Sequence, residues 1–369
     1  MEDYLRRSHL FEKRLQAQSV NGKAARFLFF RMMGPAMQAK IARFLDLSKI
    51  PTVFLHGNPH LDNYVKTYRG AGMVDFDRSR MGPYAWDIIR FLSSVSLRRQ
   101  EDDGFLDRKV VEAFIDGYMS HFLNPDLPFR QIKMIKDAKP LKWQTTTREY
   151  LKSNKKWAKK MRDFPQSPNH PEIQSILKGF LENRNEMSLL QEYEISEVGI
   201  TPGTLGKQHY IYSLLPKNPD SHSDAIILDM KEVYREKDTK FFYSPVPHHG
   251  ERMILASKIF ADGLEERLGF FDHNNKQYWG RQVPTFTAKV KGVLDKDEQM
   301  DVAYSVATQL GKGHRKSITD PRVAIELEKD FVQNFDTYYK ISKLLTYELS
   351  LTFTALMKRN RLYQDFKKW

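Results

Sequence analysis

Between Glu192 and Pro284 the chain changes character: short runs rich in β-branched and aromatic residues, bounded by Gly, Pro and Asx, replace helical spacing. Strand candidates are 192–199, 208–215, 225–231, 269–272 and 277–283, interrupted by one helical pattern over 251–261. Helical period returns from Glu298 through Val302, Val306 and Leu310, and again from Phe331 to Leu356. With 369 residues the chain exceeds the ~250–300 at which a single hydrophobic core stops growing. The prediction is an α+β protein of two lobes with a cleft. Residues 1–191 form a helical lobe, 192–294 a β-rich lobe, and 295–369 helices that complete the first.

Composition removes several function classes. Lys+Arg number 59 against 46 Asp+Glu, a net charge of +13, while 41% apolar and 12% aromatic content excludes a disordered chain. The absence of cysteine excludes disulfides, thiolate metal sites and cysteine nucleophiles. The first residues, Met1 to Arg7, are acidic and basic with no apolar core, and Leu344 to Met357 carries Glu348 and falls short of a span, so a cytoplasmic protein without a membrane span is expected. The positive balance calls for an anionic partner: nucleic acid, a membrane surface or a phosphorylated small molecule. The richest basic stretch, Lys133 to Arg162, interleaves Trp143, Tyr150 and Trp157 with Lys142, Arg148, Lys152, Lys155, Lys156, Lys159 and Lys160. Nucleic-acid grooves and solvated helix faces with anchoring aromatics share that pattern.

The early part carries the densest chemistry. Phe27, Phe30, Met33, Met37, Ile41 and Phe44 recur at helical spacing, with a break at Gly34-Pro35. After Pro51 a short strand, Thr52 to Leu55, runs into the polar loop His56-Gly-Asn-Pro-His-Leu-Asp-Asn63. A strand pair over 64–68 and 72–76 follows, then Val74-Asp75-Phe-Asp77, then a helix after Gly82-Pro83 with Ile88, Phe91, Leu92 and Val95 on its apolar face. Asn63, Asp75 and Asp77 supply the few oxygens that Mg²⁺ takes beside substrate phosphate. A zinc pair of His56 and His60 would need a helix, against which Pro59 and the preceding strand argue. An Asx-rich turn that only caps backbone groups is the plain alternative.

The loop 56–63 resembles the catalytic loop His-Gly-Asp-x-His-x-x-Asn of aminoglycoside-phosphotransferase-like kinases, and Val74 to Asp77 resembles their metal-binding segment. Gly82-Pro-Tyr-Ala-Trp-Asp87-Ile-Ile-Arg90 resembles the following helix start, whose Asp braces that loop. More closely, Phe29 to Arg315 resembles the bacterial domain-of-unknown-function family numbered 2252, in which these segments precede a glycine-rich strand pair. The late segments agree with that order. Gly199, Gly203, Thr204 and Gly206 lie near a turn between strand candidates, where missing β-carbons let backbone approach phosphate. The strand from Ile226 ends in Lys231, and Glu251 heads a helical pattern. Kinase-like proteins use that sequence of glycine turn, strand lysine on the α/β phosphates and helix glutamate pairing the lysine.

Because this lobe follows the catalytic loop, the resemblance implies a circularly permuted, two-lobed protein kinase-like fold, with Tyr278 to Pro284 as last strand and hinge. His314 is expected to face the cleft or to bond backbone, and Arg31 to bind phosphate or form a buried ion pair. One departure stands out: Asn58 occupies the position of the catalytic Asp, and an amide holds a hydroxyl but takes no proton. His60, Asp62 and Asp77 are the stand-in bases, Asp87 is the brace, and Asn63 and Asp75 the metal ligands. Thr201 and Pro202 stand where the family is denser in glycine. The resemblance implies an ATP- and Mg²⁺-dependent phosphotransferase acting on a hydroxyl of a small molecule or protein, or a nucleotide-binding pseudokinase scaffold.

Overall fold

The computed structural model describes residues 22–98, 106–136, 146–202, 207–218, 224–235, 237–290 and 292–366. It is a mixed helix-and-sheet protein whose chain forms two compact units. The first comprises residues 1–64, 81–133 and 290–369, the second 65–80 and 134–289. The strands are β1 (Thr52–Leu55), β2 (Tyr64–Thr67), β3 (Gly70–Met73), β4 (Arg80–Pro83), β5 (Pro165–Gln166) and β6 (Tyr193–Pro202). They continue as β7 (Gln208–Pro216), β8 (Ile226–Glu232), β9 (Glu266–His273), β10 (Lys276–Gln282) and β11 (Ala288–Lys289). No helix among the described residues is long and apolar enough to cross a membrane.

In the first unit, one helix, Gly22–Met32, stops before Gly34-Pro35 and the next, Gly34–Ile41, starts there with Pro35 in its first turn, where a missing N–H costs nothing. Gly82-Pro83 does not open the next helix as the sequence suggests. It closes β4, which pairs with β1, and proline at a strand end removes no needed ladder bond. The helix Ala85–Ser96 then begins, buried along its whole length, including Asp87, Arg90 and three serines. Around it pack the helices Arg108–Leu123, Lys296–Lys316 and the long Pro321–Phe366. Phe331, Phe335, Tyr338, Ile341 and Leu345 of the last form its buried stripe at three- and four-residue spacing.

The helices Arg108–Leu123 and Lys296–Lys316 meet at two glycines. A β-carbon on Gly117 would stand 2.5 Å from the Tyr304 carbonyl oxygen, and one on Gly311 would stand 2.2 Å from that of Tyr118. Both obstacles are backbone, so relief requires the helices to part.

The second unit is built on an antiparallel sheet of order β5-β6-β7-β8-β10-β9. Strand alternation divides its residues cleanly. Tyr210, Tyr212, Leu228 and Met230 face the helix Pro171–Asn183, meeting Ile173, Ile176, Leu177 and Phe180. Ile211 and Ile227 point to the opposite face, where with Val283 they meet Tyr150, Ala158 and Met161. These come from the helices Thr147–Lys152 and Lys156–Asp163. The second presses so closely that a β-carbon on Gly199 would stand 2.6 Å from the Met161 Cα. A small sheet of order β11-β2-β3 joins Ala288 and Lys289 to Lys66 and Val65.

The boundaries therefore differ from the sequence division. The helices Thr147–Lys152, Lys156–Asp163 and Pro171–Asn183, assigned above to the helical lobe, belong with the sheet, as do residues 65–80. Helical periodicity identifies an apolar stripe but does not name the surface that covers it, and here the sheet's two faces need both helix groups.

Gly311→Ala is expected to lower unfolding stability by about 1–3 kcal/mol, the usual range for overpacking a close helix contact. Urea denaturation followed by circular dichroism measures it.

Candidate functional site

The loop His56–Asn63 of the first unit is fixed from below by Asp87, in the first turn of the helix Ala85–Ser96. Its carboxylate accepts from the His56 N–H at 2.7 Å and from the Gly57 N–H at 3.0 Å. Trp86 Nε1 donates to the Gly57 carbonyl at 2.8 Å, and Ser94 Oγ accepts from the Leu61 N–H. His314 lies 3.2 Å from Asp87 Oδ2 through Nε2 and 2.8 Å from the Tyr118 hydroxyl through Nδ1. Asp87 and His314 are both fully buried. Burial pushes the Tyr118 phenol far up, as do the charges of Asp87 and Asp330, so its hydroxyl remains a donor. His314 thus bridges Asp87 and Tyr118 in the interior of the first unit, where the sequence offers a cleft-facing or backbone-bonded ring.

Asn58 is itself engaged. Arg90 Nε donates to its side-chain oxygen at 2.9 Å. Arg90 also donates to the Phe30 carbonyl at 2.8 Å, and its guanidinium lies over the Phe30 ring at 3.6 Å. The Asn63 amide nitrogen donates to the Asn58 carbonyl at 3.3 Å. Asp62 is held by Arg31 at 3.1 Å and by Arg98, and the Arg31 pair is partly exposed, not the buried one expected. His60 is buried beside the Phe27 ring.

In the second unit Lys231 near the end of β8 forms an ion pair with Asp77. Burial, which works against the charged ammonium, is outweighed by Asp77, Asp75 and Asp229, and Lys231 titrates above its ordinary range. Burial likewise opposes ionised Asp77, but Lys231, His209 and Arg252 hold it below the usual carboxylate range. Arg252 donates to the Asp77 carbonyl at 3.0 Å and to Ser79 Oγ at 3.1 Å, fixing the acidic segment. Phe76 stacks on Phe260 of the same helix, His249–Ala261. Asp229, two residues before Lys231, holds His209 at 3.0 Å. Asp75 is exposed and adopts φ 73°, in the left-handed region that a short polar side chain tolerates.

Glu251 is displaced from its expected role. It lies in the first turn of the helix His249–Ala261, where the His248 ring accepts from its N–H, and the carboxylate on Lys231 is that of Asp77. The neighbouring Arg252, about a hundred degrees further round the helix, faces the acidic segment. Gly203, Thr204 and Gly206 lie outside the described residues, as do Lys142 and Trp143. Of the basic stretch, Tyr150 is buried and Trp157 packs beside it, so these rings anchor helices to the sheet. Sequence reasoning missed Arg90, Tyr118 and Arg252. Arg90 stands in the quoted helix-start motif, but its partner Asn58 is 32 residues away.

Among the described residues no group of three or more His, Asp and Glu could hold a metal ion. Asn63 belongs to the first unit and Asp75 to the second, and each carries an oxygen of the kind that Mg²⁺ takes beside phosphate and water.

Asp77→Asn is expected to cost about 2–4 kcal/mol at pH 7, because it leaves the Lys231 charge short of its main partner. The lowered Asp77 contributes fully above ~3.9 and loses that contribution as pH falls through its folded value. The raised Lys231 contributes below ~10.4 and loses it as pH rises past its own. Urea denaturation from pH 3 to 7 should show the gap between wild type and variant closing toward pH 3.

Two family models match. That of the phosphotransferase enzyme family matches residues 3–121, and that described as an uncharacterized protein conserved in bacteria (DUF2252) matches residues 129–349. No curated protein and no solved structure matches the chain.

Proposed function

We propose, for a chain that belongs to the DUF2252 family of uncharacterized bacterial proteins, an ATP-dependent phosphotransferase of circularly permuted kinase-like fold that phosphorylates a hydroxyl. The observation that carries this reading is the Lys231 ammonium set against Asp77, with Asp75 acting on it too. An amine on a central strand beside an acidic segment is what phosphate and metal recognition require. The phosphotransferase match over the segment holding the loop 56–63 and Asp87 supports the same reaction class. So does the chain order of lysine strand and flanking helix.

In this mechanism Lys231 holds the α/β phosphates, exchanging Asp77 for them when the nucleotide enters. Asn63 and Asp75 would hold Mg²⁺, which when bound neutralises charge on the β- and γ-phosphates. The acceptor oxygen forms the new bond to the γ-phosphorus as the bond to the β-phosphate oxygen breaks and ADP leaves. Asn58 orients the acceptor hydroxyl. The loose transition state leaves the hydroxyl proton in place until late, which lets an amide stand where a base is usual. Asp62, tied to two arginines, is the least available stand-in base; His60 and Asp77 are the remaining ones.

The Asn58–Arg90 bond favours a second reading, a nucleotide-binding scaffold without turnover, since it occupies the amide oxygen that would receive the acceptor.

The test is transfer of labelled γ-phosphate from ATP to fractions of a bacterial hydrolysate. Wild type is expected to transfer slowly, Asp75→Asn to lose transfer, and Asn58→Asp to gain about tenfold or more by restoring a base. Saturable ATP binding with transfer only in Asn58→Asp selects the scaffold.

A further inference from the structure

The sheet face of the second unit that carries Ile211 and Ile227 also carries an Asp–His pair that the mechanism leaves unused. His209 lies two residues before Ile211 and Asp229 two after Ile227, so strand alternation puts both on that face. His209 Nδ1 stands 3.0 Å from Asp229 Oδ1; the carboxylate is 3% exposed and the imidazole 14%. Burial opposes charge on Asp229, but His209, Arg281 and Lys231 hold it below the usual carboxylate range. An ionised carboxylate only accepts, so Nδ1 carries the proton and, in the neutral ring, Nε2 keeps its lone pair. Among the described residues no hydrogen bond occupies Nε2. His314 also meets an aspartate but spends both nitrogens.

The surroundings favour negative charge beside that nitrogen. His209 lies directly across from Lys231 in the β7–β8 ladder and from Thr201 in the β6–β7 ladder, and side chains opposed in this way are near neighbours. Lys160 Nζ donates to the Thr201 hydroxyl at 3.3 Å. The Trp157 ring lies 6.5 Å from the imidazole and, with Lys155, Lys156 and Arg281, lines a cavity of about 510 Å³, which leaves room for a small molecule beside this face. A lone pair oriented by a carboxylate at the far side of its ring is how a histidine is prepared to attack. The ammonium groups suit the phosphoryl group it would receive.

We propose that His209 is itself an acceptor, taking the γ-phosphoryl group of ATP at Nε2. The inference rests on the phosphotransferase reading and adds to it an acceptor on the protein. Nε2 bonds to the γ-phosphorus as the bond from that phosphorus to the β-phosphate oxygen breaks, and ADP leaves with the electron pair. No proton moves: Nδ1 keeps its own, and the positive charge gained by the ring faces Asp229. A nitrogen acceptor needs no base, so Asn58, which takes no proton from a hydroxyl, does not hinder this transfer.

The test incubates the full chain with Mg²⁺ and ATP labelled at either the γ- or the α-phosphate. The γ-label is expected to approach about one phosphoryl group per chain, lost in acid and kept in alkali as a phosphorus–nitrogen bond is, with none from the α-phosphate. Fragment masses of the wild type at neutral pH should place it on His209, a readout that does not depend on how a variant folds. His209→Asn is expected to lower the label about tenfold or more, and His273→Asn, on β9, to keep it. Acid-stable label, label from the α-phosphate or label on another residue overturns the inference. Transfer to hydrolysate fractions by a chain that never carries label also overturns it and leaves the phosphotransferase reading standing. Label on His209 without transfer to any fraction upholds it and removes the hydroxyl acceptor. Neither label nor transfer overturns both.

Discussion

Two peptide N–H groups and one imidazole converge on the Asp87 carboxylate in a fully buried setting. A buried charge is costly unless its oxygens are satisfied, and here each oxygen has a donor. The position in the first helical turn helps, since the helix N-terminus favours negative charge. The loop from His56 to Asn63 consequently inherits the rigidity of a helix that is buried throughout. The close glycine contact that seats Tyr118 and His314 extends this support into two more helices. A loop that must hold reacting groups in place gains from being anchored to such elements.

The second unit solves a different electrostatic problem. Lys231 sits among Asp77, Asp75 and Asp229, an excess of negative charge that Arg252 and His209 partly offset. An ammonium so surrounded stays charged across the neutral range, and an incoming polyanion must compete with a carboxylate already in place. The unit thus places one cation under acidic control.

Much of this architecture was legible in the sequence because its signals are local. Gly34-Pro35 marks a real helix break, and the alternation in β7 and β8 follows from one residue pointing up and the next down. Lys231 and the acidic pair stood out by residue type at strand ends. What stayed hidden depends on partners distant in the chain. Nothing local says that the stripe of the helix Pro171–Asn183 needs a sheet, or that Arg90 reaches Asn58. Analogy with kinase helices points to Glu251, whereas a single step along the helix turns Arg252 toward the acidic segment. The Lys155–Lys156 pair reads as solvated surface, because a sequence does not reveal a cavity wall.

Asp75 shows how chemistry and fold can pull against each other at one position. A left-handed backbone carrying a β-carbon stores on the order of 1–3 kcal/mol of strain, more than the ~0.4–1 kcal/mol of extra chain entropy that glycine costs. A glycine replacement would therefore make a sturdier protein while removing the carboxylate. Stability alone would favour glycine there, so the acidic side chain is carried at a cost to the fold.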